Sequence, residues 1–336
     1  MKKIIIGLLL SMLILSAVAT GCAKKETPEN SAGQTVNLPA PKVVKFGVQP
    51  SLQPPHIANM KGFFTEIETK YNTKFELISF ASGGPENNAL AANEISWAQY
   101  GMAPAIVGME KAGGMLVAID ILEQTAIISD KSINTVADLK GKTVAFPGKG
   151  SQQYPLMLKA LEGAGLKEDD VVLLKMDASN MSTALEKGEI SAYIAWDPHT
   201  TKAISSGAGK ILVKAEEVMP LKEGHYLGEG VVVRKDFADE YPDLTEDIVK
   251  AIMKANDYIV DNLSETPALW SKAIGLDESI IKLSLDNNMS VFVKDISPDL
   301  EALNPYVKLL NEYGITQISD VDKFLDEHVI LDYTKK

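Results

Sequence analysis

GGPENNALAANEISWAQYGMAPAI, residues 83 to 106, carries the pattern that decides the fold. Its centre, ISWAQYG at 95 to 101, is a short apolar run of strand length, with Gly84-Pro85 before it and Ala103-Pro104 behind it. Proline is favoured at the first position of a helix, where its missing N–H would have no partner in any case. Each proline therefore marks a helix beginning, and the second begins directly behind a strand. The same junction recurs at Gln49-Pro50 with Pro54-Pro55, at Tyr154-Pro155 and at Asp197-Pro198.

On either side of this stretch, strands are expected at 43–49, 75–80, 115–120, 125–129, 142–147, 171–176, 190–196, 210–214 and 230–236, with helical patterns between most of them. Such alternation predicts an α/β architecture with largely parallel sheets. The C-terminal part changes to a helical pattern. There Ile248, Ile252, Ala255 and Ile259 share one face, behind Asp243 and Glu246 as a capping-box-like start. A chain of 336 residues exceeds one ordinary domain, so two lobes are expected. Lobe I comprises 42–126 plus 228–336, and lobe II comprises 127–227, entered through DKSINTVADLKGKTVAF and left through HYLGEGVVVRKDF.

The first 21 residues read as an export signal, with Lys2 and Lys3 ahead of an apolar run and small residues at Ala19, Thr20 and Gly21. A spanning helix needs about 20 apolar residues, so a transmembrane anchor is the weaker alternative. AVATGC resembles a bacterial lipoprotein signal, which implies that Cys22 is lipidated and becomes the mature N-terminus. Two or more acyl chains hold a protein stably on a bilayer, whereas one binds only marginally. Residues 22–41, poor in anything to bury, read as a flexible tether. Cys22 is the sole cysteine, which leaves neither disulfides nor thiolate metal ligands to support the fold.

The formal net charge of −12 argues against nucleic acid or a polybasic membrane surface as partner. Arg234 is the one arginine among 33 lysines and arginines. A bidentate guanidinium grip on an anion would have to come from it, and its apolar strand neighbours suggest ordinary sheet packing. An anion would otherwise rely on backbone amides, Ser, Gln or Lys149.

In open α/β sheets the carboxyl ends of strands border the ligand crevice, and each helix start offers unpaired N–H groups and partial positive charge. Several such starts around one cleft predict a receptor for a small anionic or polar solute. GKTVAFPGKGSQQ fails the phosphate-loop pattern but can present the amides of Ser151, Gln152 and Gln153 to a ligand. Tyr100, Tyr154 and Trp196 stand beside proline junctions and are candidate ligand walls, whereas Trp97 is assigned to the core. Asp197 and Glu229 either cap helix starts or hold a ligand amine. On this reading Trp196→Ala weakens solute binding more than tenfold and leaves melting nearly unchanged. The four histidines, His56, His199, His225 and His328, have no zinc spacing, and no nucleophile elbow occurs, so neither metal, cofactor nor catalytic residue is expected.

The stretch at 83–106, together with DLKGKTVAFPGKGSQQYPLMLKALEGAGLKEDDVVLL at 138–174, ALEKGEISAYIAWDPH at 184–199, DFADEYPDLTEDIVKAIMKAN at 236–256 and AIGLDESIIKLSL at 273–285, resembles a known family. It is that of the extracytoplasmic substrate-binding proteins of ABC importers for nitrate, taurine and aliphatic sulfonates, which also includes binders of thiamine-pyrimidine precursors. The resemblance implies a two-lobed periplasmic-binding-protein fold of type II that closes on its solute by hinge motion. It also implies ligand contacts at Gln49, Ser51, Gly84, Met102, Ser151, Gln152, Trp196 and Asp197, with Glu229 on the return segment. The chain departs from the common pattern at Met102, where an acidic residue often stands, and at His199, where an aromatic is usual.

Function is therefore expected to be solute capture for an ABC permease and its ATPase by a monomer lipid-anchored on the extracytoplasmic face of the cell membrane, with no nucleic acid involved. A small-molecule enzyme on the same fold and a sensor subunit of a signalling system are the alternatives.

Overall fold

The computed structural model describes residues 39–334. The export signal, Cys22 and all of the tether but residues 39–41 lie outside the described residues. Near the start of the described residues, Thr73 Oγ1 donates to the Pro41 carbonyl at 2.6 Å, and Lys74 N–H donates to the Lys42 carbonyl.

Each expected strand is present: β1 (Val44–Val48), β2 (Phe75–Ser79), β3 (Trp97–Gly101), β4 (Gly114–Glu123), β5 (Thr125–Ser129), β6 (Thr143–Phe146), β7 (Val172–Lys175), β8 (Ala192–Trp196), β9 (Lys210–Lys214) and β10 (Leu227–Arg234). The sequence pattern missed β11 (Ser290–Phe292), three residues inside the helical tail that pair with the end of β4. One sheet has the order β11-β4-β10-β3-β1-β2, and the other β7-β6-β8-β5-β9. Helices cover both faces of the first sheet. Val44, Phe46, Trp97 and Val231 face Ile248, Ile252, Ala255 and Ile259 of the helix Pro242–Asp261, while Ala98, Leu116 and Val232 face the other way.

Two expectations need correction. The sheets are mixed rather than largely parallel: β1 pairs in parallel with β2 and β3, and β6 with β7 and β8, but β10, β11 and β5 run antiparallel to their neighbours. The reason lies in the connections. A parallel neighbour that follows in sequence needs a crossover helix, as between β1 and β2 or β6 and β7, whereas β5 and β10 are the strands on which the chain passes from one sheet to the other, β5 directly after Gln124 and β10 after a loop. Second, Asp243 and Glu246 do not form a capping box. Tyr241 is the N-cap, with no side-chain cap, and Pro242 opens the helix, which leaves Asp243 in the first turn to favour the helix dipole.

The chain crosses between the sheets at an unusual backbone. Glu123 and Gln124 have φ of 67° and 74°, the left-handed region that side-chain-bearing residues seldom occupy. Neighbours hold them there. Glu123 N–H donates to Tyr226 O, Gln124 N–H donates to Met289 O, and Gln124 O accepts from Asp197 N–H at 2.7 Å. No helix among the described residues is long and apolar enough to cross a membrane.

Candidate functional site

The helix starts foreseen in the sequence surround one gap between the two sheets. After β1 the chain runs through Gln49 into the helix Pro54–Met60; after β2 comes Gly83–Ala91; after β3, Met102–Ala112; after β6, Gln153–Gly163. Gln49, Gly83, Gly101, Pro104, Ser151, Gln152 and Gln153, all from these junctions, line a cavity completed by Gln124, Thr125, Trp196 and Glu229. Its volume is only about 10 Å³, room for roughly one water.

Gln152 spans the gap. It comes from the segment behind β6, yet its Nε2 donates to the carbonyls of Leu227 (3.1 Å) and Gly228 (2.6 Å) on β10, and its Oε1 accepts from Ala103 N–H at 3.3 Å. A side chain expected to hold solute thus bridges the two sheets. Gly101 makes the bridge possible, because a Cβ there would stand 2.6 Å from Gln152 Cβ. Gly84 and Gly150 also meet backbone to backbone across the gap: a Cβ on Gly150 would lie 3.2 Å from Gly84 Cα.

One wall is an acidic network. Gln53, the N-cap of the helix Pro54–Met60, turns its side chain inward. Its Oε1 accepts from Gln49 N–H at 2.7 Å, and its Nε2 donates to both Gln99 O and Glu229 Oε2, each at 2.7 Å. Ser51 Oγ donates to Glu229 Oε1 at 3.5 Å, Gln49 Nε2 to Glu86 Oε2 at 3.0 Å, and Gln99 Nε2 to Asp120 Oδ1 at 2.9 Å. Burial pushes the Glu229 carboxyl up to about 8, against the hydrogen bonds from Gln53 and Ser51. Burial, reinforced by the charge of Glu229, also holds Glu86 and Asp120 well above the usual carboxylate range. Glu86 Oε1 and Asp120 Oδ2 have no hydrogen-bond partner.

The opposite wall belongs to the second sheet. Trp196 ends β8 opposite Thr125 in register, packs edge-on against His199 (centroids 5.4 Å apart) and has no partner for Nε1–H. Gln124 is 1% exposed, and neither atom of its amide has a partner. Gln153 Nε2 donates to Thr125 Oγ1 at 3.1 Å, and Ser151 Oγ donates to Gly148 O at 2.8 Å.

Of the residues singled out by sequence, Gln49, Ser151, Gln152, Trp196 and Glu229 line the cavity, Ser51 stands behind Glu229, and Gly84 borders Gly150. Tyr100, Met102, Tyr154 and Asp197 do not line it. Tyr100 is fully buried beneath Gly108, and Met102 fills the space beside Gly230. Tyr154 packs on Phe146 and donates to Glu168, to which Lys149 is also paired. Asp197 Oδ1 accepts from Thr200 Oγ1 (2.6 Å), Thr201 Oγ1 (2.5 Å) and Thr201 N–H, which fastens the start of the helix His199–Ser205. Arg234 is spent on Asp236. The sequence reading missed Gln53, Glu86, Gln99, Asp120 and Gln124. Asp120 carried a visible signal, a lone carboxylate in the apolar run MLVAIDIL, and the others did not.

Truncation of Trp196 to alanine would leave a void as well as remove a ligand wall, because the side chain is 4% exposed. The expectation of unchanged melting therefore passes to Trp196→Phe, which keeps an aromatic ring and deletes only the N–H donor and one ring. That variant is expected to bind solute about tenfold more weakly by calorimetry, with a melting temperature within a few degrees of the parent, since a hydrogen bond lost to a buried acceptor costs about 1–3 kcal/mol.

Residues 39–270 match the NMT1-like family. Over 252 residues, 73% of this chain and 74% of the relative, the sequence is 30% identical to an aliphatic sulfonates-binding protein of Bacillus subtilis (strain 168). It is 26% identical over 244 residues, 72% of each chain, to the taurine-binding periplasmic protein of Escherichia coli (strain K12). The periplasmic nitrate-binding protein of Synechocystis PCC 6803 superposes with a TM-score of 0.75 at 15% identity, over 88% of each chain. With its two α/β sheets and helical C-terminal part, the molecule has the periplasmic-binding-protein fold. The chain belongs to the NMT1-like family, among the substrate-binding proteins of ABC importers.

Proposed function

We propose that the protein is a lipid-anchored, monomeric receptor on the extracytoplasmic face of the cell membrane that captures a small polar solute for an ABC permease and its ATPase, by binding rather than by catalysis. The observation that carries this reading is the lining of the cavity, to which helix starts and strand ends of both sheets contribute polar groups around one gap.

The lobes proposed are 42–126 plus 228–336 and 127–227; the chain leaves the first sheet at Glu123 and returns to it at Leu227. Closure by rotation about Gln124 and the Tyr226–Leu227 return brings the Gly84 and Gly150 backbones together and lets Gln152 latch onto β10. Solute larger than a water enters only when that latch opens. The membrane tether keeps the receptor close to its permease and raises its effective concentration there.

Mass spectrometry of small molecules released from freshly purified protein, followed by calorimetry with the compounds recovered, tests the reading. One solute per chain is expected. Recovery of none, with no binding from a broad solute panel, would sink it. The anchor is tested separately by fatty-acid labelling, which is expected to disappear in Cys22→Ala.

A further inference from the structure

The crossover between the sheets carries a second group of acids, apart from those in the cleft. Glu123, the last residue of β4, is 4% exposed and holds its backbone in the left-handed region. Its main chain is packed against the returning strand: a Cβ on Gly228 would stand 2.6 Å from Ile121 O and 3.0 Å from Glu123 O. Its carboxyl meets the return segment and the second sheet. Oε1 accepts from Tyr226 N–H at 3.3 Å and lies 2.7 Å from His225 Nδ1, while no donor reaches Oε2. The neighbouring carboxyl is that of Glu216, on the short helix Ala215–Val218 behind β9, and Lys214 Nζ stands 3.5 Å from Glu216 Oε1. β11 sets the uncharged Ser290 opposite Glu123 in register. Two neighbouring carboxyls repel when both are ionised, and one proton held between them turns that repulsion into a hydrogen bond. Burial, and then the Glu216 carboxyl, push Glu123 up to about 8, against the pull of Tyr226 N–H and Lys214.

We infer that Glu123, Glu216 and His225 form a proton-operated tie across the hinge, which holds the two sheets in their closed arrangement while Glu123 is protonated and releases them when it ionises. The inference rests on the receptor reading above for the hinge motion. Tyr226 N–H and His225 occupy Oε1, so the proton sits on Oε2 and is donated to Glu216. His225 Nδ1 can donate or accept according to its tautomer, and so serves Oε1 in either state. Opening moves Glu216 away and lets water reach Glu123, so the open form gives up the proton at lower pH than the closed form does. The proton therefore favours the closed form, fully so below the open form's value, and that advantage is lost as pH rises through about 8.

Glu229 titrates in the same window but faces the cleft, so the test compares variants. Of the three tryptophans, Trp97 and Trp270 are wholly buried in the core of the first sheet and Trp196 lines the gap, so fluorescence quenching by acrylamide, an uncharged probe, reports opening. In the dialysed full chain the quenching constant is expected to rise severalfold from about pH 6.5 to about pH 9, since a drop of about one unit in the Glu123 value on opening changes the closed-to-open ratio about tenfold. Glu123→Gln keeps the shape of the protonated acid, at a backbone that Gln124 beside it already adopts, and should stay at the low-pH level throughout. Glu216→Gln, on a partly exposed side chain, should flatten the profile as well. A flat profile in the parent, or a rise that survives in Glu123→Gln, overturns the tie. Should Glu123→Gln fail to fold, Glu216→Gln decides, and a rise that survives there overturns it too. Either result leaves the receptor reading standing, because recovery of solute by mass spectrometry does not depend on the tie.

Discussion

Gly84→Leu is expected to weaken solute binding about a hundredfold while the solute-free protein melts within a few degrees of the parent. Gly84 sits in the first turn of its helix, outside the core of either sheet, so leucine suits its local structure. Across the gap, however, a Cβ at this position already stands 3.7 Å from Gly150 Cα and O, in ordinary contact. The remaining three carbons of leucine have no room unless the two sides part. Overpacking of this kind costs about 1–3 kcal/mol or more, which translates into roughly a fivefold to a hundredfold or greater loss of the closed, solute-holding form. Gly163, in the helix Gln153–Gly163, has nothing within 4 Å of a Cβ, so Gly163→Leu serves as the matched control and should bind normally. Equal affinity in Gly84→Leu would mean that the Gly84–Gly150 approach is no part of the binding cycle.

The second large effect is a pH dependence of stability. Glu229 has a folded-state value near 8 against about 4.5 for an exposed glutamate, and the Glu86 and Asp120 carboxyls that face it from neighbouring elements are raised as well. Gln53, Ser51 and Gln99 face the group without charge. Below the ordinary carboxylate range both folded and unfolded chains hold the proton, so the group has no effect. As pH climbs past about 4.5 the unfolded chain releases it and the folded chain does not, so stability falls until the folded-state value is reached. At pH 7 the loss from Glu229 alone is on the order of 3 kcal/mol. Glu229→Gln should therefore melt close to the parent at pH 4 and about 5 °C or more above it at pH 8, judged by calorimetric scans. A parent that gains stability over the parent-minus-variant comparison between pH 5 and 8 would show that Glu229 is ionised and paired in the native state.

Much of this fold was legible because its punctuation is explicit. Short β-branched runs and prolines at helix starts mark ten strands, and the junctions Gly84-Pro85, Ala103-Pro104 and Tyr154-Pro155 fall inside the first turns of helices that follow strands. The junction Asp197-Pro198 behaves differently: Pro198 is the N-cap, and Asp197 is the anchor for the turn behind it. Strand direction was not legible, because apolar runs such as TAIIS read alike whichever way their neighbours run. β11 was hidden by its length of three residues.

The candidate site was half legible. Position along the chain located the strand ends, but not which way their side chains turn. Tyr100 stands one residue from Gly101, which lines the cavity, yet its ring points under the helix Met102–Ala112. Residues far apart in sequence made the rest: Gln53 and Glu229 meet across 176 positions, and Gln49 and Glu86 across 37. No spacing rule links such pairs. Gln124 gave no warning either, because a glutamine in the left-handed region is held there by Met289 and Asp197, not by its own preference.

Everything turns on a solute lying between the two sheets. A crystal structure of the protein purified with its retained solute is the direct measurement. The solute is expected in the gap bounded by Gln124, Trp196 and Glu229, with Gln152 displaced or re-bonded. A solute bound elsewhere on the molecule, with the Gln152 bridge to Leu227 and Gly228 intact, would contradict it.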